Sequence, residues 1–129
     1  PPLAAEGAAT ALSLPRSVVD AGRLSSPQLE TVAFAIRRFR SSLPDGSRAG
    51  YYLGDGTGCG KGRVIAACFW HFWNEGVRRH LWLSVSPDLS EDARRDFRDL
   101  GAANVPLATL GSFPYGSITG SGQSGLDAK

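Results

Sequence analysis

The run Gly50-Tyr51-Tyr52-Leu53-Gly54-Asp55-Gly56-Thr57-Gly58-Cys59-Gly60-Lys61-Gly62-Arg63 joins two kinds of sequence. Before the glycines, Ala49-Gly50-Tyr51-Tyr52-Leu53 is short, aromatic and suited to a strand. After them, from about Gly60 to Glu75, the apolar residues Val64, Ile65, Cys68, Phe69, Phe72 and Trp73 recur at helical spacing, and Gly76 stops the helix. In between, Gly54, Gly56, Gly58 and Gly60 allow a sharp turn that brings backbone N–H groups close to an anion. The helix start adds the positive end of a dipole, and Lys61 adds a point charge. This is the physical design of a cradle for the phosphate tail of a nucleoside triphosphate.

Two strict fingerprints are not met. A Walker A loop needs its first glycine five residues before Gly60, where Asp55 stands, and a Ser or Thr after the lysine, where Gly62 stands. That hydroxyl normally ligates magnesium, so weakened magnesium retention is expected, which neither Thr57 nor an ordered water fully makes good. A Rossmann loop fails as well, because its third glycine would fall on Lys61 or Arg63. The plain alternative is a glycine-rich connector that binds nothing.

Working outward, a helix is expected from Ser25 or Ser26, with Pro27 in its first turn and Glu30 near its positive end. Leu29, Val32, Ile36 and Phe39 form its apolar stripe, and Leu43-Pro44-Asp45-Gly46 a turn. Downstream, His80-Leu81-Trp82-Leu83-Ser84-Val85 reads as a strand. Asp88 and Glu91 suggest a capping box for a helix through Leu100, ended by Gly101, and Asn104 to Leu110 as a third strand. The order strand, helix, strand, helix, strand predicts an α/β fold: a parallel sheet with flanking helices and right-handed crossovers.

Residues 1–13 are Ala- and Pro-rich and read as a linker, 14–110 as the domain, and 111–129 as a Gly/Ser-rich loop. The 129 residues are 42% apolar and 20% charged, which permits a core. The net charge of +2 is too small to argue for nucleic acid by itself. No apolar run approaches the roughly 18–20 residues that span a bilayer, so no membrane partner is expected. The absence of methionine, with Pro at position 1, leads us to expect a piece of a longer protein. Of the 14 basic residues only Lys61 and Lys129 are lysine, so an ammonium at position 61 stands out.

Other constellations are weaker. Cys59, Cys68 and His71 supply three ligands where a structural zinc site needs about four, so packing explains them better. Trp70, His71, Phe72 and Trp73 read as core rather than as a base-stacking platform. Arg94, Arg95 and Arg98 alternate with Asp92, Asp96 and Asp99 and read as a solvated helix face.

The stretch from Gly50 to Arg63 resembles the motif I segment of the strawberry notch family, helicase-like ATPases of superfamily two, which carries the same glycine after the lysine. Leu14-Pro15-Arg16-Ser17-Val18, Leu24-Ser25-Ser26-Pro27-Gln28-Leu29-Glu30 and Asp45-Gly46-Ser47-Arg48-Ala49-Gly50 are similar to its upstream segments. Leu81-Trp82-Leu83-Ser84-Val85-Ser86-Pro87-Asp88-Leu89 and Asp92-Ala93-Arg94-Arg95-Asp96 are similar to its next strand and helix.

The resemblance implies the N-terminal part of a RecA-like AAA/helicase lobe that binds ATP. It implies a role in transcription or chromatin regulation, in the nucleus for eukaryotic members and in the cytoplasm for bacterial ones. Carried over by position, Gln28 would read adenine, since its amide donates and accepts at once. Asp55, Gly56, Thr57, Gly58, Cys59, Gly60, Lys61, Gly62 and Arg63 would surround the nucleotide, with magnesium lacking its usual hydroxyl at Gly62. Ser84 and Ser86 would touch a nucleic-acid backbone, and nucleic acid or chromatin proteins would be partners through the parent protein. No Asp-Glu pair and no second lobe follow Leu110, so these residues alone are expected to bind ATP without turning it over. The reading from another class is a non-catalytic interaction module with a degenerate loop. A small phosphotransferase fits poorly, because no Arg-rich lid segment follows the loop.

Overall fold

A computed structural model describes residues 12–114. Most of the expected linker, and the Gly/Ser-rich loop from residue 115 on, lie outside these residues. Among the described residues four α-helices follow in order: α1 (Arg16–Asp20), α2 (Ser26–Phe39), α3 (Lys61–Asn74) and α4 (Leu89–Leu100). A 3-10 turn spans Leu110–Ser112.

The start of α2 is written locally. The Ser25 hydroxyl accepts from the Gln28 N–H, and the Gln28 side chain accepts from the Ser25 N–H at 3.0 Å, a closed capping box. Its apolar stripe is buried as the spacing requires, with Leu29, Val32 and Ile36 all at 3% exposure or less. The turn after α2 is tied by Gly46 N–H to Leu43 C=O and by Asp45 Oδ1, which accepts from the Ser47 N–H and hydroxyl.

Helix α3 lies between the other two long helices, packing α2 on one side and α4 on the other. It contributes Val64, Ala67, Cys68 and Trp70 to the core, and α4 contributes Phe97 and Leu100. Val18, Leu24, Ala102 and Val105 close the edges. Burying a Val, Leu or Phe side chain stabilises by about 1.5–3 kcal/mol, so Val64, Phe97 and Leu100 hold α3 firmly against α4. Burial also pushes the Cys68 thiol up to about 12, which makes it a packing residue rather than a reactive one.

Leu12 and Ser13, read as the end of the linker, are docked on this core. Leu12 is buried, and the Ser13 N–H donates to Nδ1 of the buried His71 at 2.8 Å. Asn74 Nδ2 donates to the Ser13 carbonyl at 2.7 Å. Nε2 of His71 faces Glu75 Oε1 at 3.2 Å, and Glu75 also pairs with Arg40 from the end of α2.

Two local expectations are corrected. The capping box of α4 does not form: Asp88 makes no side-chain cap bond, and Glu91 turns instead toward Arg94 at 3.4 Å. The charged face of α4 is also only partly solvated. Arg95 pairs with Asp92 at 2.9 Å on that face, while Asp99 reaches across to Arg63 of α3 at 2.8 Å.

The segments 49–53, 80–85 and 104–110 form no β-ladder among the described residues, where the one bridge is between Ser42 and Arg48. Each run leans on the helices, and the first is tied at its start, where the Ala49 N–H donates to the Ser41 carbonyl at 3.0 Å. His80 stacks on Phe69 and Trp82 meets the same ring edge-on, while Leu81, Leu83 and Val85 face outward at 65%, 79% and 99% exposure. Over residues 80–83 this alternation is that of a strand with one face covered, and it ends at Ser84, which is exposed. Backbone groups form a ladder only when a second strand supplies partners.

Candidate functional site

The glycine-rich turn enters α3 through Gly60, whose φ of 75° and ψ of 34° are left-handed. An L side chain is strained there. A Cβ at Gly60 would also overlap Nε2 of Gln28, which donates to the carbonyl of Cys59 at 3.2 Å. The missing side chain therefore lets α2 grip the turn through Gln28.

No side chain caps α3 at Gly60. The first intrahelical bond runs from Val64 N–H to the Gly60 carbonyl at 3.2 Å. The N–H groups of Lys61, Gly62 and Arg63 have no acceptor among the described residues. Unpaired donors at a helix start, with the positive end of its dipole, favour an anion. Lys61 folds back over the turn, and its ammonium donates to the carbonyls of Asp55 at 2.8 Å and Gly56 at 2.7 Å. The turn thus closes on its own cation, with amides and ammonium gathered at one place. Thr57, Gly58 and Cys59 are exposed around it.

A second group approaches this helix start from α4. A Cβ at Gly62 would overlap Asp96 Oδ2 and lie 3.2 Å from Asp96 Cγ. The Asp96 carboxylate makes no hydrogen bond or ion pair among the described residues, although Asp92 and Asp99 on the same helix are both paired. Burial raises its pKa above the usual carboxylate range, while the nearby Arg63 and Arg95 charges pull it down.

The sequence-predicted residues separate into groups. Gln28, Asp55, Gly56, Cys59, Gly60 and Lys61 are linked by the contacts just described. Gln28 has both ends of its amide engaged, the oxygen in the α2 cap and the nitrogen on the turn, which couples the cap to the turn. Arg63 is not turned to the loop: its guanidinium is spent on Asp99, and its buried Nε has no partner. Ser84 is exposed in the extended run, and the Ser86 hydroxyl lies 3.4 Å from Asp88 Oδ2, so neither joins the turn. Cys68 and His71 are core residues distant in role from Cys59, which is exposed. The Ser-x-x-Gln spacing of 25–28 is the signal that would have revealed the Gln28 cap. Asp96 carried no local signal, because its partner lies on another helix.

The donor set fits a polyphosphate: unpaired amides, a helix start, and an ammonium that can exchange carbonyl partners for phosphate oxygens. For magnesium, position 62 supplies no hydroxyl, and the nearest group in its place is a carboxylate. Pocket size does not mark the site. A groove of about 620 Å³ lies between Phe34, Arg37, Arg38, Tyr51 and Tyr52 and includes no residue of the turn. No helix among the described residues is long and apolar enough to cross a membrane.

Comparison with known proteins bears on the same residues. The family described as P-loop containing NTP hydrolase pore-1 matches residues 3–127. The chain is 43% identical over 109 residues to the protein strawberry notch homolog of Caenorhabditis elegans, covering 84% of this chain and 6% of that protein. It is 44% identical over 108 residues to strawberry notch of Drosophila melanogaster, covering 84% and 6%. Protein FORGETTER 1 of Arabidopsis thaliana is 46% identical over 95 residues, covering 74% and 7%. The chain thus spans less than a tenth of the length of the curated relatives it matches. No solved structure matches it.

Proposed function

The chain belongs to the family of P-loop NTP hydrolases to which its family match and its strawberry notch relatives assign it, and from that premise we propose that it is the ATP-binding portion of a helicase-like ATPase. The observation that carries this reading is the helix start at Lys61, where unpaired N–H groups and an ammonium meet in a glycine-rich turn. ATP enters with its phosphates on those amides, and Lys61 leaves the carbonyls of Asp55 and Gly56 for the terminal phosphates. Gln28 holds the Cys59 carbonyl and so couples the α2 cap to the occupied turn.

The finer parts of the proposal rest on motif resemblance. Segments 49–53, 80–85 and 104–110 are the strands of a parallel sheet that pairs when neighbouring strands are supplied. The parent protein couples hydrolysis to work on nucleic acid or chromatin in transcription, and in a eukaryote acts in the nucleus. Ser84 and Ser86 contact the nucleic-acid backbone. The 129 residues hold no Asp-Glu pair in that order, so by themselves they bind ATP without hydrolysing it.

Titration calorimetry with ATP tests the central claim. Lys61→Ala should abolish binding while leaving the helical circular-dichroism spectrum unchanged. Equal affinity in the variant, or no binding by the unsubstituted protein, overturns it and leaves the turn a connector or a partner surface.

A further inference from the structure

We infer that Asp96 takes the place of the missing hydroxyl and is this chain's ligand to the magnesium ion of the bound nucleotide. The inference rests on the ATP-binding reading of the turn and specifies how that site holds its metal. In a Walker A loop the residue after the lysine projects a hydroxyl to magnesium. Here that residue is Gly62, and the space its side chain would fill is taken by the Asp96 carboxylate. The lost hydroxyl and the arriving carboxylate are one arrangement, since neither Ser nor Thr at 62 can coexist with Asp96 as it stands.

Three further observations favour a ligand role over a structural one. Asp96 accepts no hydrogen bond from the N–H groups of Lys61, Gly62 or Arg63, so it does not cap α3. It is not consumed by an arginine, although Asp99 binds Arg63 and Asp92 binds Arg95. It is also placed by a rigid element, for its neighbour Phe97 is 1% exposed and Leu100, one turn on, is equally buried. Magnesium is typically held by one or two carboxylates together with phosphate oxygens and waters, so a single carboxylate beside a polyphosphate cradle suffices. On this inference Asp96 supplies the oxygen ligand that a hydroxyl at position 62 would have given.

The test follows binding of a fluorescent ATP analogue as magnesium is titrated, with and without chelator. Asp96→Asn should need at least tenfold more magnesium for half-maximal binding, while affinity for the metal-free nucleotide is unchanged or tighter. An unchanged magnesium requirement in a variant that still binds nucleotide overturns the inference and leaves the ATP-binding reading intact. Failure of the unsubstituted protein to bind nucleotide in either condition overturns both. If Asp96→Asn does not fold, Gly62→Ser/Asp96→Ala and Gly62→Ala/Asp96→Ala answer the same question, because each refills the space. The serine version should need at least tenfold less magnesium than the alanine version, and equal demand overturns the inference.

Discussion

The turn before α3 and the run from Leu81 to Val85 both leave backbone groups without partners, but they ask for different things. In the turn the unpaired groups are N–H donors at a helix start, next to an ammonium and an unpaired carboxylate. In the run no backbone group from Leu81 to Val85 is bonded among the described residues, and its exposed side chains are Leu81, Leu83 and Val85. Polar groups converging on one point suit a small charged ligand. Apolar residues repeating every second position along an open edge suit another stretch of chain. The kind of unsatisfied group therefore indicates the kind of partner, and the two regions differ in what supports them. The turn is wired to α2 through Gln28 and approached by Asp96 from α4, whereas the run rests on α3 by His80 and Trp82.

The largest expected effect tests that support. Phe97 is almost wholly buried, with its ring 6.4 Å from that of Phe69 between α3 and α4. Phe97→Ala should cost about 3–5 kcal/mol in urea unfolding, through lost burial and the cavity left behind. A cost below about 0.5 kcal/mol, the range of surface changes, would mean that α4 is not fixed against α3, and the contrast between the regions would fail.

A smaller effect is set by pH. The His71 ring accepts the Ser13 N–H at Nδ1, so its proton lies on Nε2, toward Glu75. Burial lowers its pKa, the Glu75 charge pulls it up and the Arg40 charge pulls it down, with a net lowering from 6.5. The unfolded chain therefore takes up this proton first as pH falls. The contribution of His71 is fully present above about pH 6.5 and is lost as pH drops toward the folded-state pKa. Glu75 titrates lower, because Arg40 holds its carboxyl below the usual range. The urea midpoint should fall between pH 7 and pH 5, and His71→Asn, which can still accept from Ser13, should flatten that slope. A midpoint that does not move would show that the segment at Ser13 is not clasped by a neutral imidazole.

These contrasts also explain what could be read from the residues alone. The three long helices are legible because their signals are local: Ser25 and Pro27 at one start, Gly76 and Gly101 at two ends, and apolar spacing between, whereas the five-residue α1 has no side-chain cap and no such signal. The turn is legible because four glycines and a lysine fall between Gly54 and Lys61. Gln28 was singled out for adenine by resemblance, but its contacts with Ser25 and Cys59 depend on where α2 meets the turn. Asp96 was hidden in a charged run, since only the packing of α4 on α3 separates it from Asp92. The Asp88–Glu91 spacing suits a capping box, but it equally leaves Glu91 free to pair with Arg94, which is what forms. Strand propensity in 80–85 is written in the residues, but pairing is not, because it belongs to two segments at once.

The smallest expected effect bears on that last point. Leu83 is 79% exposed and lies in a run without ladder bonds, so Leu83→Ser should change the stability of the 129-residue chain by less than about 0.5 kcal/mol. In a longer chain that supplies the neighbouring strands of the proposed parallel sheet, the same side chain becomes covered. The cost should then rise to about 1.5–3 kcal/mol, the value of burying a leucine. Urea midpoints of the two pairs of proteins give the comparison directly. A small cost in both contexts would leave the run an exposed connector and remove the sheet from the proposal. A large cost already in the 129 residues would show that 80–85 is paired within them, and the distinction between the turn and the run would then be one of ligand alone.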